Sequence, residues 1–217
     1  MARKQNPSTK LNLLDAALTV IRTKGYAATT VDDICTEAGL SKGAFFHHFS
    51  SKEDLAVAAA NYWSETTAAL FATAPYHEPA NPLDRVLAYI AFRKELIQGS
   101  LPEFTCLVGT MAQETYDTSP AIQKACWESI SGHAETLVTD IEAATEQHGA
   151  PRDFTAESLA LHTQSVIQGA FILAKASGDP QRAVESIDHL YRYVELLFNR
   201  KTVIQTNQAR LQGGNHA

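Results

Sequence analysis

Apolar residues recur at helical spacing through most of the chain and nowhere in strict alternation, so the pattern predicts an all-α protein without strands. Over 8–24, Leu11, Leu14, Leu18 and Ile21, joined by Ala17, mark one face of a first helix that Gly25 stops. Over 29–49 the apolar positions Ile34, Leu40, Phe45 and Phe49 are spaced to meet between two short helices. Thr30 is placed to N-cap the first of these with Asp33 three residues on, Gly39 suits a left-handed turn, and Ser41 caps the second. Ser50-Ser51-Lys52-Glu53 reads as a capping box opening a longer helix through Leu55, Ala58, Tyr62 and Leu70. Pro75, Pro79 and Pro82 then break the chain. Beyond them the helical period returns over 83–98, 104–116, 120–148, 155–176 and 180–204, which makes about nine helices. Residues 205–217 lose periodicity and read as a frayed tail, and the polar first seven residues as a mobile arm or a solvated end.

This pattern divides the chain into a small N-terminal unit, 1–52, and a larger helical bundle, 53–217, with the helix that begins at Lys52 shared between them. In the smaller unit the predicted core leaves Lys42, Ala44, Phe46, His47 and His48 on or near an outer face, the arrangement of a helix-turn-helix whose second helix enters a major groove. A plain helical hairpin would explain the apolar positions but not Ser41, Gly43, His48 and Lys52 together.

Thr29-Thr30, Ile34, Ala38-Gly39-Leu40-Ser41, Gly43, Phe45-Phe46, His48-Phe49, Lys52-Glu53 and Leu55 resemble the DNA-binding half of TetR-type (TetR/AcrR family) transcriptional regulators, over about residues 14–55. The resemblance implies DNA contacts from Thr29, Thr30, Lys42, Gly43, Ala44, Phe46, His47, His48 and Lys52. Lys52 stands in the first turn of its helix, where free N–H groups and the helix dipole favour a phosphate. Two positions depart from the family habit: Phe46 stands where tyrosine is usual, which removes a phenolic hydrogen bond, and Ala44 replaces a commoner threonine, leaving a methyl suited to thymine.

Composition sharpens this picture in one respect. The net charge of −6 over 217 residues is by its sum unsuited to nucleic acid, yet residues 1–52 hold seven Lys/Arg against four Asp/Glu, a net of +3, while the remainder holds eleven against twenty, a net of −9. A basic head on an acidic body docks the head on phosphates and keeps the body clear. No apolar stretch is long enough to span a bilayer and no leader is visible, so a cytoplasmic protein without a membrane partner is expected. Cys35, Cys106 and Cys126 form no C-x-x-C pair, and the eight histidines offer no metal-ligand spacing, so neither a disulfide framework, a metal nor a cofactor is expected. No nucleophile, phosphate-loop or dinucleotide motif points to catalysis.

The larger half carries Trp63, Phe92, Cys106, Met111, Trp127, His162 and Phe171, with Tyr89, His133 and Gln164, on several helices. Some must line the bundle interior, where a small ligand would bind, although for any one of them plain packing in the core is the more common role. The resemblance puts such a pocket among the fourth to eighth predicted helices. The last two predicted helices are apolar around much of their circumference, Leu190 included, which suits either a homodimer interface of the kind related regulators use or a buried helix in a monomer. Cys106, near a helix start that would favour its thiolate, resembles the sensor of an electrophile-responsive branch of the family, with Lys175 as a nearby cation; a small buried packing residue is the alternative. Together these features lead to a homodimeric repressor on a pseudo-palindromic double-stranded operator, released by a small-molecule or electrophile inducer. The competing expectation is a ligand-binding protein or cysteine-dependent enzyme with a vestigial hairpin.

Overall fold

The computed structural model describes residues 7–149 and 153–198; the expected arm, the tail and the end of the last helix lie outside them, wholly or in part. Among the described residues there are eleven α-helices, one short 3₁₀ helix at Pro75–His77 and no strand: α1 Pro7–Lys24, α2 Val31–Ala38, α3 Lys42–His48, α4 Lys52–Ala72, α5 Pro82–Glu95, α6 Leu101–Phe104, α7 Leu107–Thr115, α8 Pro120–Glu135, α9 Val138–His148, α10 Ala156–Ser177 and α11 Gln181–Leu197. The nine expected helices become eleven because α6 is a short extra helix ahead of the run expected over 104–116 and the run 120–148 is divided. Cys106 leaves the helix with extended φ/ψ and caps α7, separating it from α6, and the run 120–148 is interrupted at Thr136-Leu137.

The local signals act where the sequence puts them. The Thr30 hydroxyl accepts from the Asp33 N–H while the Asp33 carboxylate accepts from the Thr30 N–H at 2.7 Å, closing a capping box at α2. Gly39 takes φ 63°, and its N–H turns back onto the carbonyls of Cys35 and Thr36, which ends α2 sharply enough for Ser41 to start α3 two residues later.

Two apolar cores hold the chain. One joins α1, α2, α3 and the first half of α4 with α7 and α8, through Leu13, Ile21, Ile34, Phe45, Leu55, Leu107, Met111 and Ile122, all fully buried. The other is built by α5, α9, α10 and α11 with Phe71 and Tyr76, around Tyr89, Ile90, Ile141, Ile167 and Ile187. The side chain of Cys106 packs against both. The seam between the cores carries the cavity described below.

Candidate DNA-reading surface and ligand cavity

α3 presents Lys42, Gly43, Phe46 and His47 to solvent, with Ala44 and His48 half-buried, while Phe45 and Phe49 anchor it in the first core. Lys42 forms a surface ion pair with Asp32 at 2.8 Å; both side chains are well exposed, so the ammonium exchanges readily onto a stronger anion. Phe46 lies edge-on to Phe45 with ring centroids 5.1 Å apart. His48 is held below the ordinary histidine range by desolvation, then by the charges of His47 and Lys10, and its Nδ1 has no hydrogen-bond partner among the described residues. Thr30 is occupied by its capping box.

Two expected contacts are turned inward. Thr29 is only 1% exposed and its hydroxyl donates to the Gly25 carbonyl at 2.6 Å, so its side chain shapes the loop between α1 and α2 and does not reach out of it. The Lys52 ammonium donates to the carbonyls of Tyr26 and Thr29 at 3.0 and 2.9 Å and sits 4.2 Å from the Tyr26 ring centroid. Desolvation lowers its pKa. Carbonyl dipoles and an aromatic face take the place of water, so Lys52 ties α4 to the α1–α2 loop.

The same loop is fastened from the other side. Glu114, in the last turn of α7, accepts the Ala27 N–H at 2.6 Å. Gly25 takes φ 87° beneath it, where a Cβ would collide with the Glu114 carboxylate. Arg22, in the last turn of α1, donates to the Glu103 carbonyl at 3.1 Å and stacks on Trp63 with its guanidinium carbon 5.2 Å from the ring centroid. Glu103 and Trp63 both line the cavity.

That cavity, of about 190 Å³, lies between the cores. α4 contributes Trp63, Thr67, Leu70 and Phe71, and α5 and its end contribute Arg93, Leu96 and Ile97. Phe104, Cys106 and Val108 come from the α6–α7 junction, and Ser129, Ile130 and His133 from α8. α10 adds Gln164, Gln168 and Phe171, three residues on one face by helical spacing. At one end a polar network closes it. The fully buried Tyr89 places its hydroxyl 2.9 Å from His133 Nε2 and accepts from Gln164 Nε2 at 2.8 Å and Arg93 Nη1 at 3.2 Å. Arg93 Nη1 also lies 3.2 Å from His133 Nε2. With two donors facing Nε2, the neutral ring carries its proton on Nδ1. Desolvation, then the Arg93 charge, lowers the His133 pKa to about 3.

Of the residues expected to face a ligand, Trp63, Cys106 and Phe171 line the cavity and four do not. Phe92 packs behind it on Phe71, centroids 5.4 Å apart. Met111 is fully buried in the first core. Trp127 is 57% exposed on the outer side of α8, and His162 is an exposed residue of α10 stacked edge-on against Tyr193 of α11. Arg93, Ser129 and Gln168 were not foreseen; on a single helix each reads as an ordinary surface residue, and only packing aims them inward. The Cys106 Sγ accepts the Gly109 N–H at 3.4 Å as the cap of α7, while Lys175 donates to the Thr110 hydroxyl at 2.8 Å and that hydroxyl donates to the Cys106 carbonyl at 3.0 Å. Among the described residues no group of three or more potential metal ligands is gathered and no helix is long and apolar enough to cross a membrane.

Residues 13–59 match the family of bacterial regulatory proteins of the tetR type, and residues 82–184 match the C-terminal domain of LmrA/YxaF-like transcriptional regulators. Among curated relatives, the HTH-type transcriptional regulator YerO of Bacillus subtilis is 43% identical over 54 residues, 25% of this chain and 19% of that protein. The transcriptional regulator AcuR of Cereibacter sphaeroides is 30% identical over 103 residues, 48% of this chain and 47% of that protein. The chain thus spans less than half the length of these relatives. A TetR-family transcriptional regulator from Agrobacterium tumefaciens, 23% identical, shares the fold over 87% of this chain and 98% of its own with a TM-score of 0.75. With matches in both halves and the fold common to nearly the whole length, this chain belongs to the TetR family of bacterial regulatory proteins.

Proposed function

We propose that the chain is a DNA-binding transcriptional regulator, a repressor that acts as a homodimer on a pseudo-palindromic operator and is released when a small molecule occupies the cavity. α7 carries this reading. Its first turn borders the cavity through Cys106 and Val108, and its last turn holds the reader loop through Glu114 and Ala27. A ligand that favours another tilt of this helix moves the loop on which α2 begins, and weakens operator binding by its differential affinity for the two arrangements. Ile172, Leu173, Tyr193 and Leu196 leave apolar surface exposed on α10 and α11, which supports dimerisation there. Fluorescence anisotropy with DNA from upstream of the protein's own coding region, over a salt series, tests the reading. Saturable binding that unrelated DNA does not match is expected; equal affinity for both leaves no regulator to explain.

A second reading of the trigger rests on Cys106. Its sulfur borders the cavity and accepts a helix N-terminal N–H, and Lys175 reaches the Cys106 carbonyl through the Thr110 hydroxyl; Cys126 and Cys35 are buried. Alkylation by a mild electrophile then releases DNA from the wild type and spares Cys106→Ser. Equal release of both, or of neither, leaves reversible ligand binding as the trigger.

A further inference from the structure

The cavity's unsatisfied donors define what it would hold. Arg93 is the one cation among the described residues that line it, since His133 is neutral, and it has no carboxylate partner. Its Nη1 is committed to Tyr89 and His133, and its Nε and Nη2 make no hydrogen bond with any described residue. The one carboxylate of the lining, Glu103, closes its own cap, its Oε2 accepting from the Ser100 N–H and hydroxyl at 2.6 and 2.7 Å. The Ser129 hydroxyl and the Gln168 amide also have no hydrogen-bond partner among the described residues. One fixed positive fork in an apolar chamber costs desolvation that only an anionic guest returns, and its planar N–H pair fits a carboxylate. A dianion would need a second cation, which the lining lacks. Size sets the rest. An apolar cavity of about 150 Å³ holds benzene. The 190 Å³ here therefore admits one ring and a short polar substituent, and the paired rings of Phe104 and Phe171, centroids 5.9 Å apart, offer that ring a face.

We propose that the cavity selects a monocyclic aromatic carboxylate, its ring against Phe104 and Phe171 and its carboxylate on the guanidinium of Arg93. This inference rests on the reading of the cavity as the inducer site. Tyr89, through Nη1, and Phe71, whose centroid lies 5.4 Å from the guanidinium carbon, hold the fork in place before the ligand arrives.

Direct titration of the full-length protein tests this, with benzoate, phenylacetate and cinnamate compared with their three amides, by calorimetry and by quenching of Trp63 in a Trp127→Phe background. Each amide keeps the ring and shape of its acid and loses the charge. At least one acid is expected to bind about ten- to a hundredfold more tightly than its amide, the range of a charge-assisted hydrogen bond. Arg93→Met should abolish that preference and Arg93→Lys retain part of it, which separates lost charge from a disturbed fold. Amides that bind as well as acids, an acid preference that survives Arg93→Met, or no binding of any of the six at millimolar concentration overturns the proposal. DNA binding is measured on the same preparations without ligand. Its absence beside an intact acid preference removes the regulator reading and leaves the ligand class; sound DNA binding beside no acid preference does the reverse.

Discussion

Lowering the pH from 7.5 to 5 should destabilise this protein through His133. In the fold its ring is neutral, with a pKa of about 3, because burial and the Arg93 guanidinium both oppose a second proton. In the unfolded chain the ring titrates at the ordinary 6.5. The unfolded state therefore binds a proton that the folded state refuses, so stability falls as the pH drops through 6.5 and continues to fall until about 3. At pH 5 the gap already opened is about one and a half pH units, or about 2 kcal/mol, and its limit near pH 3 is about 5 kcal/mol. For a chain of this length 2 kcal/mol corresponds to about 4–8 °C in Tm. Thermal unfolding followed by circular dichroism at fixed protein concentration, at half-unit steps of pH, measures it for wild type and His133→Gln. Glutamine still accepts from the Tyr89 hydroxyl but cannot titrate. His48, also depressed by burial, acts in the same window in both proteins, so the difference between the two curves isolates His133. Parallel curves from pH 7.5 to 5 would refute the assignment of a buried neutral imidazole.

Lys52→Ala should weaken operator binding and lower stability by about 1–2 kcal/mol while leaving the slope of log affinity against log salt unchanged, because its ammonium is bonded to loop carbonyls; a slope reduced by about one unit would return it to a phosphate. Glu114→Ala should leave ligand affinity intact but cut the ligand's effect on DNA by about five- to tenfold, read as operator affinity with and without ligand, since it removes one charge-assisted bond to the reader loop. Leu196→Glu should leave a folded monomer in sedimentation, because Leu196 is 73% exposed, whereas Leu190→Glu should cost the fold itself about 3 kcal/mol or more in denaturant melts, because Leu190 is 2% exposed within its own chain. A monomeric, well-folded Leu190→Glu would reverse that assignment of faces.

Helix starts were legible because their chemistry is local. Thr30 with Asp33, Ser41, and Ser51 each satisfy donors within four residues, and no distant contact is needed to recognise them. The helix start at Cys106 was legible, but the short α6 ahead of it was missed, because four residues give no helical period. The interruption at Leu137 was missed because its φ/ψ remains in the helical region and only the ladder is lost. The reader's outward face was read from helical spacing, while Thr29 and Lys52 were not seen to turn inward, since both bond to carbonyls of the α1–α2 loop, whose path depends on α4 and α7. Leu190 stood on an apolar surface whose two sides no periodicity distinguishes. Arg93 was hidden for the opposite reason: a lone arginine on an amphipathic helix looks solvated until Tyr89, His133 and Phe71 converge on it.

The shared first core limits how a ligand signal can travel. Met111 of α7 and Ile122 of α8 are buried in the same cluster as Leu13, Ile34 and Phe45 of the reader, so the reader is not a body hung from a linker. A cut after residue 52, the boundary expected from the sequence, would strip the apolar faces of Leu55, Leu107 and Met111, each fully buried in the intact chain. A free hinge at the proline-rich segment 75–82 would not help either, because that segment follows the cavity-lining residues Trp63–Phe71 of α4, whereas α2 and α3 precede α4. What remains is small sliding of packed helices, α7 on α8 and α1 on α4, which close-packed cores permit in discrete steps. Glu114 and Arg22 matter in such a scheme because each links a cavity wall to the reader through one bond to backbone: Glu114 of α7 holds the Ala27 N–H, so that a displacement of α7 reaches the loop backbone directly, while Arg22 reaches from α1 to the Glu103 carbonyl, so that a displacement of that wall reaches α1 through the arginine side chain.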